Sequence, residues 1–149
     1  MTEDDDSDDA ILQLYNRELM ALSAQVAAPK HLPHPDAKAK VVSVICGSEV
    51  TVELLLKNDR VADFGYEVEA CSLTKAVVAI MARAIPGKNR QEIAQTAAAL
   101  RDMLEKKSPP PSGDWAALKI LEPVIEYKAR HETIMLPFVA VEKAFVDKK

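Results

Sequence analysis

Between Arg60 and Gly87 the hydrophobic period of this chain changes from two to about 3.6 with no linker between the two patterns. In "RVADFGYEVEA", Ala62, Phe64, Tyr66, Val68 and Ala70 alternate with Asp63, Gly65, Glu67 and Glu69, as in a strand with one buried face. In the "CSLTKAVVAIMARAIPGK" that follows, Leu73, Val77, Ile80 and Ala84 form a helical stripe that Pro86-Gly87 ends. Cys71 stands at the junction. There the unpaired N–H groups and the dipole of the helix stabilise a thiolate. A chain that turns directly from strand to helix must fold the helix back on the sheet, and the residue at the turn is presented at the sheet's end.

Two more strand-like segments precede this one. "AKVVSVIC" is short and β-branched, and "EVTVELLLK" places Val50, Val52, Leu54 and Leu56 on one face. The tight connections "CGS" and "NDR" favour two hairpins, hence an antiparallel three-stranded meander. In a meander the ends of strands one and three share an edge of the sheet. Cys46, beside the turn residue Gly47, and Cys71 are therefore expected to be neighbours, although 25 positions separate them. Two thiols held that way form half of a metal or sulfur site. Taken singly, each reads more readily as a small buried hydrophobe, and it is their joint placement that raises the site reading beside it.

The remainder reads as helix. Leu12, Tyr15, Leu19, Leu22 and Val26 form a stripe that "PKHLPHPDAK" stops, and His31 and His34 in that segment read as linker residues. Asn89 with Glu92 reads as a capping box opening a helix lined by Ile93, Ala97, Leu100 and Leu104. After the loop "KKSPPPSGD", a short helix runs from Trp115 to Leu121, ended by Pro123. A last helix carries Ile134, Phe138, Val141 and Phe145, with Thr133 as its N-cap and Pro137 expected in its first turn. The expected fold is α+β, a three-stranded antiparallel sheet with helices packed on one face. The expected organisation is an acidic tail over residues 1–9 and one domain over 10–149.

The net charge of −4 is concentrated in the opening "MTEDDDSDD". Without it the chain is near neutral, which points to neither nucleic acid nor an anionic membrane. No apolar run has the length of a membrane span, and the acidic start is unlike a signal peptide. The expected compartment is cytoplasmic, where two cysteines are thiols rather than a disulfide.

The stretch from Cys46 to Lys88 resembles the core of the U-type iron–sulfur scaffold family, that is IscU, SufU and the N-terminal domain of NifU. The family's "CGD" after the first strand is matched by "CGS", and its strand-to-helix cysteine pattern by "ACSLTKAVVA". The third-cysteine motif at the head of the last helix is matched by "RHETIMLPF". The long interval between Cys71 and that motif is closer to SufU, and the Leu-Pro-Pro-Val-Lys motif of IscU is missing. The resemblance implies a SufE/NifU-like sandwich and a non-catalytic scaffold or sulfur acceptor. It further implies a transient iron–sulfur cluster, iron or zinc as cargo or cofactor, a cysteine desulfurase and recipient apo-proteins as partners, and a homodimer as one way to complete the ligands. It places Cys46 and Cys71 at the first two ligand cysteines and as candidate persulfide acceptors. Ser48 stands where the family has aspartate, Thr133 where it has the third cysteine, and Glu132 where IscU has histidine, with His131 one position earlier. Hydroxyls are poor ligands for zinc or iron, which leaves His131 or Glu132 as candidates to join the two thiols, beside the plainer readings of His131 as a surface residue or cap and of Glu132 as a helix-dipole partner.

Two other readings stay open. One is a family member that keeps the fold as a binding or regulatory partner and holds no stable cluster. The other is a thiol enzyme with Cys71 as nucleophile and His131 as base.

Overall fold

The structure, a computed structural model, describes residues 17–44 and 47–148. A helix, α1, occupies residues 17–24. It is followed by β1 (Ala37–Val42), β2 (Glu49–Lys57), β3 (Arg60–Glu69), α2 (Ser72–Ala84) and α3 (Arg90–Lys106). A 3-10 segment Gly113–Val124, a 3-10 turn Lys128–Arg130 and α4 (His131–Asp147) complete it. The sheet is antiparallel in the order β1-β2-β3. The architecture is the expected α+β sandwich. The acidic segment 1–9 and Cys46 lie outside the described residues.

The β2–β3 hairpin closes through Asn58 and Asp59, both at positive φ (55° and 63°), the two-residue turn that matches the twist of the flanking strands. On the inner face Val50, Val52 and Leu54 are fully buried, beside Ala37 and Ala39. β3 departs from strict alternation. Leu55 pairs with Asp63 and Leu56 with Val61, so Ala62 is the extra residue of a bulge. Val61 takes the buried place expected of Ala62, which is exposed.

Helix α4 packs on β1 and β2, and α2 on β3, α4 and the Gly113–Val124 segment. Enclosed this way, α2 is buried all round, and Ala76 to Met81 are each at most 2% exposed. The capping box opens α3, with Glu92 N–H donating to Asn89 Oδ1 (2.8 Å) and Asn89 N–H to Glu92 Oε1 (3.1 Å). Trp115 anchors the 3-10 segment against Phe138, ring centroids 5.5 Å apart. That segment is longer than the expected Trp115–Leu121 helix and includes Pro123.

The outer face of the sheet is crossed by the segment expected to be a linker. Lys30 and Tyr66 exchange backbone hydrogen bonds (2.9 and 2.7 Å). The strap can lie this close because residue 65 is glycine, whose Cβ would sit 2.7 Å from the Lys30 carbonyl oxygen. Beneath the strap Glu53 is buried and accepts from Leu32 N–H at 2.7 Å, with Lys38 Nζ at 3.5 Å. The two ring nitrogens of His31 lie 3.2 Å from Glu53 Oε2 and 3.2 Å from Glu67 Oε1. Carboxylates only accept, so the site can use both ring nitrogens as donors when the ring is an imidazolium. Its hydrogen bond with Glu53 holds the His31 pKa above its ordinary value. Burial pushes Glu53 upward, but the Leu32 N–H, His31 and Lys38 outweigh it, and its carboxyl stays below the ordinary value. His31 is thus a strap residue rather than a free linker.

Three boundaries near the sheet end differ from expectation. β1 stops at Val42, before Ser43, not at Cys46. α4 begins at His131, so Thr133 is its third residue and Arg130 occupies the cap. Pro137 is consequently the seventh residue of α4, beyond the first turn. A proline there removes the N–H that the carbonyl of Thr133 would accept from. The helix nonetheless continues, and the Thr74 hydroxyl donates to that carbonyl (3.3 Å).

Candidate thiol site at the sheet end

Register builds the site. Val42 pairs with Glu49, and Glu49 with Glu69, so the β1–β2 connection and the exit of β3 share one end of the sheet. The connection is a tight turn. Gly47 N–H donates to Ser43 O (2.8 Å) and Ser43 N–H to Ser48 O (2.8 Å), with Gly47 at φ 74°. Cys46 lies in sequence between the described residues 44 and 47 of this connection. Two residues after Glu69, Cys71 is the N-cap of α2, extended at φ −69°, ψ 169°. Its carbonyl accepts from Lys75 N–H (3.1 Å), and its side chain makes no cap hydrogen bond. Its thiol is free and half-buried, and the first turn of α2 holds no acidic residue.

The head of α4 comes to the same place through two side-chain contacts. Thr74 Oγ1 lies 3.6 Å from Cys71 Sγ and 3.3 Å from the Thr133 carbonyl oxygen. Ser43 Oγ donates to Glu132 Oε1 (2.9 Å), tying the β1–β2 connection to α4. The structure therefore brings together Cys71, Thr74 and Thr133 on one side and Ser43 and Glu132 on the other. Ser48 and Thr133, the hydroxyls in place of aspartate and cysteine, are both buried. His131 is held differently. Its Nε2 donates to the carbonyl of Ile125 (2.8 Å), which fixes the proton on that nitrogen. His34 is exposed on the strap.

Among the described residues no three of His, Cys, Asp and Glu converge on a point a metal could occupy. Zinc sites with fewer than three protein ligands are not the rule. The described residues alone do not fit a resident zinc. A cavity of about 630 Å³ between α3 and α4, walled by residues such as Ile93, Ala97, Phe138 and Val139, includes neither Cys71 nor Thr74.

Thr74 and Ser43 had not stood out in the sequence. A threonine three positions after a helix N-cap reads as an ordinary helix residue, and a serine at a strand end as turn material. The available signal was the pairing of Thr133 with a proline four positions on, which announces a carbonyl in need of a donor.

The fold and this thiol-bearing edge define a class of small α+β scaffold domains, and comparison with known proteins places the chain in it. Residues 22–133 match the model of the NifU-like N terminal domain, and the chain belongs to that family. Over 98 residues it is 30% identical to the zinc-dependent sulfurtransferase SufU of Bacillus subtilis (strain 168), covering 66% of this chain and 67% of that protein. The N-terminal part of a nitrogen-fixing NifU-like protein from Brucella abortus is 38% identical, with a TM-score of 0.84 over 91% of this chain and 94% of that one. A SufU structure from the thermophile Fervidobacterium islandicum AW-1 shares the fold at 21% identity, with a TM-score of 0.76 over 85% of this chain and 92% of that one. Among the described residues no helix is long and apolar enough to cross a membrane.

Proposed function

We propose that this chain is a scaffold and sulfur acceptor for iron–sulfur cluster assembly, with Cys46 and Cys71 as its working thiols. The observation that supports the reading most is the register Val42–Glu49–Glu69, which puts the Cys46-bearing connection and Cys71 at one sheet end. Family membership and the sulfurtransferase relative agree with it.

The chemistry asked of the chain is a thiol–persulfide exchange. The partner is a cysteine desulfurase carrying a cysteine persulfide. The Cys71 thiolate attacks the terminal sulfur of that persulfide. A new S–S bond forms to Cys71, the partner's S–S bond breaks, and its electron pair leaves on the partner's cysteine sulfur. Sulfur is transferred with no net oxidation. Iron and sulfide are cargo, for which two thiolates are soft ligands, and recipient apo-proteins take the assembled cluster. Glu132 and His131 stay candidate further ligands. Each would first have to leave its present partner, Ser43 or the Ile125 carbonyl.

A second reading is favoured by one observation, the two buried hydroxyls of Ser48 and Thr133 where ligands are expected. In it the chain keeps the fold and partner surface but holds no stable cluster. Iron and acid-labile sulfide after anaerobic reconstitution separate the two. Iron and sulfide retained by the native chain and lost on Cys46→Ser and on Cys71→Ser support the scaffold. A native chain that retains neither, with both thiols titrating as free, supports the partner.

A further inference from the structure

We propose that Thr74 is the positioning residue of Cys71, fixed for that task by the carbonyl that Pro137 leaves without a helical donor. The inference deepens the sulfur-acceptor reading and rests on it for its functional meaning, but not for its geometry. Thr74 is fully buried, so its hydroxyl must spend its hydrogen-bonding capacity on protein groups. It has two neighbours of unequal character. The Thr133 carbonyl oxygen, at 3.3 Å, can only accept. The Cys71 sulfur, at 3.6 Å, can donate as a thiol or accept.

A hydroxyl has one proton, and the carbonyl settles where it goes. In an uninterrupted helix the Thr133 carbonyl would accept from the N–H of residue 137, and the Thr74 proton would be free to turn either way. Here residue 137 is proline and has no N–H. The Thr74 proton is therefore directed at Thr133, and its oxygen faces Cys71 as an acceptor. The sequence of donors runs from the Cys71 S–H to the Thr74 oxygen, and from the Thr74 O–H to the Thr133 carbonyl. The direction of this chain orients the thiol and ties Cys71, at the head of α2, to the head of α4.

The test is the infrared S–H stretching band of Cys71, read in a Cys46→Ser background so that one thiol contributes. A thiol that donates a hydrogen bond absorbs at lower frequency than one that does not. Thr74→Val, nearly isosteric, is expected to move the band up to the position of a non-donating thiol, and Thr74→Ser to return it to the parent position. A melting curve for each variant establishes that it is folded. In the chain with both cysteines, the rate of sulfur transfer from a persulfidated desulfurase should fall about tenfold in Thr74→Val and recover in Thr74→Ser, the scale of an outer-shell residue that orients a ligand. A band at the same frequency in folded Thr74→Val and parent overturns the inference, whatever the transfer rates. A band that moves while no variant accepts sulfur upholds the positioning and overturns the sulfur-acceptor reading instead.

Discussion

The hydroxyl of Thr74 donates to the carbonyl of Thr133 across 3.3 Å, and the donor it replaces is the N–H that Pro137 does not have. Removing that hydroxyl should cost about 1 kcal/mol, the net worth of one buried hydrogen bond. Thr74→Val should therefore lower stability by that amount in chemical denaturation. Pro137→Ala supplies an N–H to the same carbonyl, so in its background the cost of Thr74→Val should shrink by at least about 0.5 kcal/mol. Equal costs in the two backgrounds would show that the two residues do not share the carbonyl.

Gly65 lies under the strap, and its substitution should be felt at once. A Cβ there would approach the Lys30 carbonyl to 2.7 Å, Glu53 Oε1 to 3.0 Å and Leu32 Cγ to 3.1 Å. The first is strap backbone and cannot move without breaking its pairing with Tyr66. Gly65→Ala is expected to destabilise by about 1–3 kcal/mol and to raise amide exchange at Lys30 and Leu32.

The strap should also depend on pH, and the direction follows from its two ionisable anchors. His31 has its pKa raised above 6.5 in the folded chain, so the stability it contributes is complete below 6.5 and is lost as pH rises through the folded value. Glu53 has its pKa lowered below 4.5, so its contribution is complete above 4.5 and is lost as pH falls. The strap is thus tightest between about 4.5 and 6.5. Amide exchange at residues 30–32, measured from pH 6 to 8.5, should accelerate beyond the intrinsic pH effect, and His31→Gln should remove the excess.

The contact of Ser43 with Glu132 predicts a local effect. Glu132→Ala should leave the melting temperature nearly unchanged, because Glu132 is exposed, but should raise amide exchange in the Ser43–Ser48 connection by several-fold. Glu132→Gln, which keeps an acceptor oxygen, should do so less.

Much of this arrangement could be read from residue order, for identifiable reasons. The alternation in β2 and β3 and the capping box of Asn89 and Glu92 are local patterns with one physical solution each, and the meander follows from two tight turns. What was not legible depended on partners distant in sequence. Ala62 sits in a bulge that only pairing with Leu55 and Leu56 reveals. Thr133 was read as a cap because it satisfies a local rule, whereas the true start of α4 is set by the turn before it. Pro137 looked confined to a first turn because the compensating donor, Thr74, lies 59 positions before Thr133, whose carbonyl it serves. At the site, the shared edge of Cys71 and the Cys46-bearing connection followed from topology alone. The hydroxyls of Ser43 and Thr74 that organise that edge carry no motif. His31, passed over as a linker residue, needed Glu53 and Glu67 from two different strands to acquire a role.

The most direct measurement of sulfur acceptance is intact and peptide mass spectrometry of the chain after anaerobic incubation with a cysteine desulfurase and cysteine. A gain of sulfur localised to the peptide bearing Cys71, and abolished by Cys71→Ser with the fold intact, is the expected result. A native chain whose Cys71 peptide gains no sulfur from a demonstrably persulfidated desulfurase would contradict it.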